Sequence, residues 1–343
     1  MVIRSRAPVR ISLAGGGTDV SPYTEEYGGC ALNATIRRYA WATLELRKDK
    51  KIILESYDLK KRVVYPSRAA IKYDGNLDLL KAVYNAYTHI QQGLHLYLRS
   101  DVPPRSGLGG SAAAFVATIG VFNFLLREQR QSSYEIAELA YRLEREVLKV
   151  KGGRQDQYAS TFGGVNFIEF RGLDFVRVNP MRLPDDYLLE LEKHLVLVRL
   201  PEQRGSSHDV IDDQVRRMSQ KRSSSLMAMH RTKSIAEEMK RLLLKGDFLR
   251  FGELLHVGWL EKKKFTPLIS NSRIDALYTL ARRSGAIGGK ITGAGGGGHM
   301  LFFCKPNREQ EVTACLERAG ATTVDLQFDT DGLRVWTTDN PTC

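Results

Sequence analysis

Apolar and polar positions change their rhythm several times along the chain. Three runs at 41–46, 51–55 and 62–65, each bounded by charged or turn-forming residues, predict strands and an opening sheet. Helical spacing over 77–90 comes next, then a strand at 94–99, a Pro/Gly loop at 101–110 and an apolar stretch at 112–126. Thr118 and Asn123 interrupt that stretch and Arg127 ends it, short of the roughly 18 apolar residues of a membrane span, so it predicts a buried helix. A second helix spans 133–150, opened by a cap at Ser132 or Ser133 with Glu135 and Glu138 in its early turns. Strand-like runs at 164–170 and 174–178 precede a cluster of turn formers at 180–186, which places a boundary near 180–195. The second half reads as a strand at 195–200, a long helical region at 207–264 with breaks at 223–225 and 246–247, and a helix at 273–283. A strand at 299–304, a helix at 308–319 and a strand at 322–328 complete it. This order predicts helices on a small antiparallel sheet, an α+β second domain.

Length supports the division, because 343 residues exceed one ordinary core; the expected domains are 1–185 and 186–343. With 43% hydrophobic and 26% charged residues the chain has a globular composition. Residues 1–10 lack the apolar stretch of a secretory leader, so a cytoplasmic protein with no membrane span is expected. The four cysteines, Cys30, Cys304, Cys315 and Cys343, form no C-x-x-C pair, and the seven histidines show no tight ligand spacing, which argues against zinc and against a disulfide scaffold. Charge adds a direction: 51 basic against 39 acidic residues, a net +12, favours anionic partners. The basic run 216–222 has no interleaved aromatics, so it reads as a solvated helix face and nucleic acid is not expected.

Candidate chemistry concentrates in three glycine-rich blocks: Ala14-Gly15-Gly16-Gly17-Thr18-Asp19, Pro103-Pro104-Arg105-Ser106-Gly107-Leu108-Gly109-Gly110-Ser111-Ala112-Ala113, and Thr292-Gly293-Ala294-Gly295-Gly296-Gly297-Gly298. Such density leaves backbone amides uncovered by any Cβ and open to anions. The middle block lies between a predicted strand and the apolar helix, whose N-terminus would aim N–H groups and the positive dipole end at a phosphate. Ser111 could add its hydroxyl to a phosphate or a magnesium ion, or simply cap the helix. Neighbouring motifs fit less well. Gly107 to Ala112 matches G-x-G-x-x-A, but three extra residues lengthen the turn a dinucleotide fold keeps tight, and neither a P-loop lysine nor a G-x-S-x-G elbow is present.

In order and spacing the blocks resemble the GHMP kinase superfamily, whose middle motif P-x-x-x-G-L-G-[GS]-S-[AS]-A stands at Pro103 to Ala113. The resemblance runs from Arg6 to about Phe303. It implies a two-domain α+β fold: an N-terminal domain like domain 2 of ribosomal protein S5, a ferredoxin-like C-terminal domain, and ATP and substrate in the cleft between them. Arg6 to Asp19, continuing through Pro22-Tyr23, together with Arg204-Gly205-Ser206-Ser207, is most similar to the heptose 7-phosphate kinase branch. That branch implies ATP-dependent phosphorylation of the C1 hydroxyl of a phosphorylated heptose, for nucleotide-activated heptose synthesis.

The same resemblance assigns roles. Asp156, in Gly152-Gly153-Arg154-Gln155-Asp156-Gln157, aligns with the catalytic aspartate; as a residue in a loop after a helix it could equally be a turn or cap aspartate. Arg10 aligns with an arginine beside the attacking oxygen, or forms a structural ion pair. Asp19 aligns with a sugar-hydroxyl ligand, with Gly16, Gly17 and Thr18 beside it and Gly295 shaping the sugar end. Pro104, Ser106, Gly107, Leu108, Gly109, Gly110, Ser111 and Ala112 would bind ATP. Glu144, 12 residues before Asp156, would hold Mg²⁺ with Ser111, although Glu138 and Glu146 compete. Lys151, Arg154 and Arg204 are the cations available for the substrate's own phosphate, each also readable as surface charge. A homodimer is an open expectation, and an unphosphorylated sugar substrate, a non-catalytic nucleotide-binding regulator and a dinucleotide oxidoreductase are the alternatives.

Overall fold

The structure, a computed structural model, describes residues 1–126, 129–201, 207–220 and 223–338. It opens with a strand the hydrophobic pattern did not predict, β1 (Val2–Ala14). The period of two is hidden there because polar Ser5, Arg10 and Ser12 are buried along with their apolar neighbours. After a short helix, α1 (Tyr23–Tyr27), the chain returns in the 18-residue strand β2 (Gly29–Leu46), then β3 (Ile52–Ser56) and β4 (Lys61–Tyr65). The helix expected at 77–90 is the shorter α2 (Asp78–Ala86), followed by β5 (Leu94–Ser100).

The predicted buried helix is α3 (Gly110–Leu125), in which every residue from Ala112 to Asn123 is buried. A helix apolar all round must be enclosed. Ser5 Oγ ties it to β1 by donating to Ala117 O at 2.6 Å. The single helix expected at 133–150 is two pieces. α4 (Ser133–Arg142) starts with a Ser132/Glu135 capping box and runs into a π-helical turn, Leu143–Val147. The strands β6 (Val165–Arg171) and β7 (Phe175–Pro180) then extend the sheet. Between the turn and β6 stands α5 (Gln155–Phe162), a helix where a loop was expected.

Beyond α6 (Asp185–His194), at whose start the expected 185/186 division falls, come β8 (Leu195–Arg199), α7 (Ser207–Ser219), α8 (Ser223–Lys245) and α9 (Phe248–Lys262). Then follow α10 (Ser272–Arg283), β9 (Ala286–Ile291), β10 (His299–Cys304), α11 (Glu309–Arg318), β11 (Thr322–Val324) and β12 (Arg334–Thr338).

These elements build two sheets. The first, of eight strands, runs β12-β1-β2-β5-β3-β4, with β6 and β7 added on the other half of β2; β3 and β5 are its parallel neighbours. The second is antiparallel, β11-β8-β10-β9. Its core packs β8, β9 and β10 with α9, α10 and α11 around Trp259, Phe302 and Leu316. α8 and α9 join the two halves, because Met239, Leu243, Phe251 and Leu255 belong to the apolar cluster of the first sheet. The run expected as one strand at 322–328 is shorter: the chain leaves the second sheet at Val324 and returns to the first, where β12 pairs antiparallel with β1 from Val2↔Thr338 to Arg6↔Arg334.

Candidate active site

A cleft of about 500 Å³ opens between the two halves, and the three glycine blocks meet on it. The first block turns out of β1, the second leads into α3 and the third joins β9 to β10. The second and third touch. A Cβ on Gly293 would stand 2.7 Å from Gly107 Cα, so that crossing of two backbones admits no side chain. Thr292 Oγ1 donates to Gly107 O at 3.1 Å and the His299 Nδ1–H donates to Ser106 O at 2.7 Å, fastening the loops further.

At the N-terminus of α3 the cap is Gly109, at φ +75, and no side chain bonds to the first-turn amides. The four orphan N–H groups of a helix start, with the positive end of its dipole, therefore point into the cleft lined by Gly109, Gly110 and Ser111. Ser111 is exposed and does not cap the helix. Pro104, Ser106 and Gly107 line the same wall, whereas Leu108 and Ala112 are buried beneath it. Leu108 contributes its backbone instead, its carbonyl accepting from Arg10 N at 2.9 Å.

Asp156 lies in the first turn of α5, not in a loop, so the Gly152-Gly153 turn is followed at once by a helix that fixes its direction. Arg10 grips it from β1 with two parallel bonds, Nε to Oδ1 at 2.7 Å and Nη2 to Oδ2 at 2.8 Å, while Nη1 donates to Gly107 O at 2.7 Å. The arginine side chain is 6% exposed and the aspartate side chain 20%, which leaves the carboxylate open to the cleft. A Cβ on Gly109 would come within 3.3 Å of Asp156 Oδ2, so the carboxylate and the anion-binding amides are neighbours.

Asp19 lines the cleft beside Gly16 and Gly17. Its Oδ1 accepts from Gly17 N at 2.9 Å and its Oδ2 from both Gln155 N and Gln155 Nε2 at 3.2 Å, tying the first block to α5. Thr18 turns inward, its hydroxyl donating to Gly15 O and Cys30 O, so its role is to hold the loop and not to line the pocket. Glu144 sits in the π-helical turn, 2% exposed, with Oε2 accepting from Gln157 Nε2 at 2.7 Å and ion-paired with Arg145 Nη1 at 3.4 Å. Glu144 and Ser111 both line the cleft, so together they offer it one carboxylate and one hydroxyl. One carboxylate and one hydroxyl beside bound phosphates suit magnesium, which takes few protein ligands.

The basic residues expected to meet a substrate phosphate fare differently. Arg154 does not line the cleft: its guanidinium stacks on the Tyr141 ring at 4.3 Å, with Glu138 at 3.9 Å, because the helix start turns this side chain toward α4. Arg204 lies outside the described residues. Lys151 lines the cleft and pairs with Asp212 of α7 at 2.5 Å. Gly295 lines the opposite wall with Ala294, Gly296 and Gly297.

Three functional candidates had no reading of their own in the sequence. Gln155 and Gln157 flank Asp156 and orient Asp19 and Glu144; alternation about the aspartate is the one signal they offered. Lys262, at the end of α9, reaches into the cleft and donates to Gly293 O at 2.8 Å. Burial pushes its ammonium pKa down to about 8, with Arg10 acting the same way and Asp19 and Asp156 opposing. In sequence it is one of three consecutive lysines, and only burial separates it from the others.

Comparison with known proteins shows the family. Residues 77–164 match the GHMP kinases N terminal domain and residues 239–322 the GHMP kinases C terminal domain. The chain is 39% identical over 342 residues to D-glycero-alpha-D-manno-heptose 7-phosphate kinase of Campylobacter jejuni, covering 97% of this chain and 98% of the relative. A crystal structure described as a D-glycero-D-manno-heptose 1-phosphate kinase from Bacteroides thetaiotaomicron superposes with a TM-score of 0.82 at 34% identity, covering 98% of this chain and 100% of that one. Lactococcus lactis galactokinase shares the fold, with a TM-score of 0.74 at 20% identity over 98% of this chain and 95% of its own. The chain belongs to the GHMP kinase family and is a phosphotransferase with an alcohol group as acceptor.

Proposed function

We propose that this protein transfers the γ-phosphoryl group of ATP to the anomeric C1 hydroxyl of D-glycero-D-manno-heptose 7-phosphate. The observation that carries the reading is the Arg10-held Asp156 carboxylate standing beside the uncapped N-terminus of α3, a proton acceptor next to a phosphate cradle. The helix amides would hold the ATP phosphates, and the apolar end of the cleft, at Leu59, Leu79, Leu98 and Val102, would take the base. Asp156 accepts the proton of the attacking hydroxyl while Arg10 keeps both carboxylate oxygens in place. Asp19, itself held by Gln155 and Gly17, orients the sugar. Glu144 and Ser111 would hold Mg²⁺, which when bound neutralises phosphate charge.

The Campylobacter and Bacteroides relatives are named for the same sugar with its phosphate at different positions. A second reading, an unphosphorylated sugar, is favoured by the two candidate cations among the described residues: Arg154 faces away from the cleft and Lys151 is already paired. Coupled ADP release against heptose 7-phosphate, heptose 1-phosphate, free heptose, galactose, fucose and glucuronate decides, with the product's phosphate position read by phosphorus NMR. Preference for heptose 7-phosphate giving a 1,7-bisphosphate is expected. Fastest turnover of an unphosphorylated sugar selects the second reading.

A further inference from the structure

Phosphoryl transfer spreads negative charge over the moving group, and the cation that stabilises it needs donors not already spent. Most cations lining the cleft have spent theirs. Arg10 is committed to Asp156 and to Gly107 O. Arg145 donates to Gly153 O and Val150 O, Lys151 pairs with Asp212, and Arg105 is also partnered. Lys262 differs. Its Nζ bonds to Gly293 O alone among the described residues, leaving two protons, and the residue is 5% exposed.

A buried ammonium with one partner is costly unless an anion completes it. Its position says which anion. Nζ would lie 3.9 Å from a Cβ placed on Gly16, on the acceptor side beside Asp19, while its one bond goes to the glycine loop that faces α3. Asp19 and Asp156 both act on its charge, so it sits where the proton acceptor, the sugar ligand and the phosphate loop converge.

The geometry points to Lys262 as a catalytic residue that donates its two remaining Nζ protons to the phosphoryl group as it passes from ATP to the sugar hydroxyl. This rests on the ATP-dependent sugar kinase reading above. The sugar oxygen forms its bond to the γ-phosphorus, the bond to the β,γ-bridging oxygen breaks with its electron pair leaving on ADP, and the hydroxyl proton goes to Asp156. Lys262 keeps its own proton throughout.

The test compares full-length wild type, Lys262→Met and Lys262→Arg with magnesium-ATP, on whichever sugar the wild type phosphorylates fastest and on that sugar's phosphorylated or unphosphorylated counterpart. Failure of the wild type on heptose 7-phosphate therefore bears on the substrate reading and not on Lys262. Lys262→Met should lose roughly 10²- to 10³-fold in kcat on both sugars, with KM values within about threefold, and Lys262→Arg should recover part of the loss. A kcat within about threefold of wild type overturns the proposal. So does a defect confined to KM for the phosphorylated sugar, which would make Lys262 a holder of the substrate's own phosphate.

Should Lys262→Met fail to fold, the pH profile of Lys262→Arg carries the test. The groups facing Lys262 are Asp19 and Asp156, which favour its charge, Arg10, which opposes it, and Lys290, whose own pKa is pushed down by burial and by Lys262. In wild type kcat/KM should fall as pH rises above about 8, where the lysine loses its proton, whereas the arginine stays charged and its profile should stay flat there. Parallel declines in the two proteins overturn the proposal.

Discussion

The two walls of the cleft are built from different materials. On the first-sheet side the chemistry rests on side chains that hold one another: Arg10 grips Asp156, Gln155 grips Asp19 and Gln157 grips Glu144. The other wall offers mostly backbone, the glycine run after Thr292, with Lys262 its buried cation. Interlocked carboxylates fix the reacting geometry before substrate arrives, since each is oriented by a partner outside the reaction. Bare backbone on the facing wall can come close to phosphates without steric cost. On the proposed reading, the proton acceptor and the amides of α3 therefore share one wall, and the facing glycine loop covers the phosphates from the other.

The strongest way to break that division is Asp156→Ala, which should retain ATP binding by calorimetry and lose roughly 10²- to 10⁴-fold in kcat. Turnover near that of wild type would move the proton acceptor elsewhere. A smaller effect should follow from Gly293→Ala, whose new Cβ would meet Gly107 Cα at 2.7 Å and push the walls apart. ATP affinity should fall about tenfold, and the melting temperature should drop by a few degrees, corresponding to about 1 to 3 kcal/mol of overpacking. Unchanged nucleotide affinity would show that the two loops do not act together. The smallest change is expected for Arg154→Ala, which removes a guanidinium stacked on Tyr141. Stability should fall by about 1 kcal/mol while KM for a phosphorylated sugar stays within about twofold. A tenfold rise in that KM would return Arg154 to the substrate side and blur the contrast between the walls.

What could be read from the chain alone follows the same contrast. The glycine blocks were legible because dense glycine has few structural uses, and α3 because a helix apolar on every side announces its burial. β1 was not, because burial on both faces removes the alternation that identifies a strand, and Arg10 and Ser12 look like surface positions until the cleft is assembled around them. The start of α5 was hidden by the two glycines just before it. Lys262 carries no local signal at all, since its meaning depends on Gly293 and Gly16, far away in sequence on either side. The inward turn of Thr18 and the outward turn of Arg154 were equally out of reach: spacing locates a residue on an element but not the direction of its side chain.

The strand β12 has a consequence for synthesis. The first sheet contains both Val2 and Thr338 as cross-strand neighbours, so it cannot be completed on the ribosome until nearly the whole described chain has emerged. Gly120 of α3 lies against Leu333 and Val335, so the helix whose uncapped N-terminus lines the cleft waits for the same late segment. Once folded, the halves are joined by two covalent crossings, one entering α6 and one returning to β12.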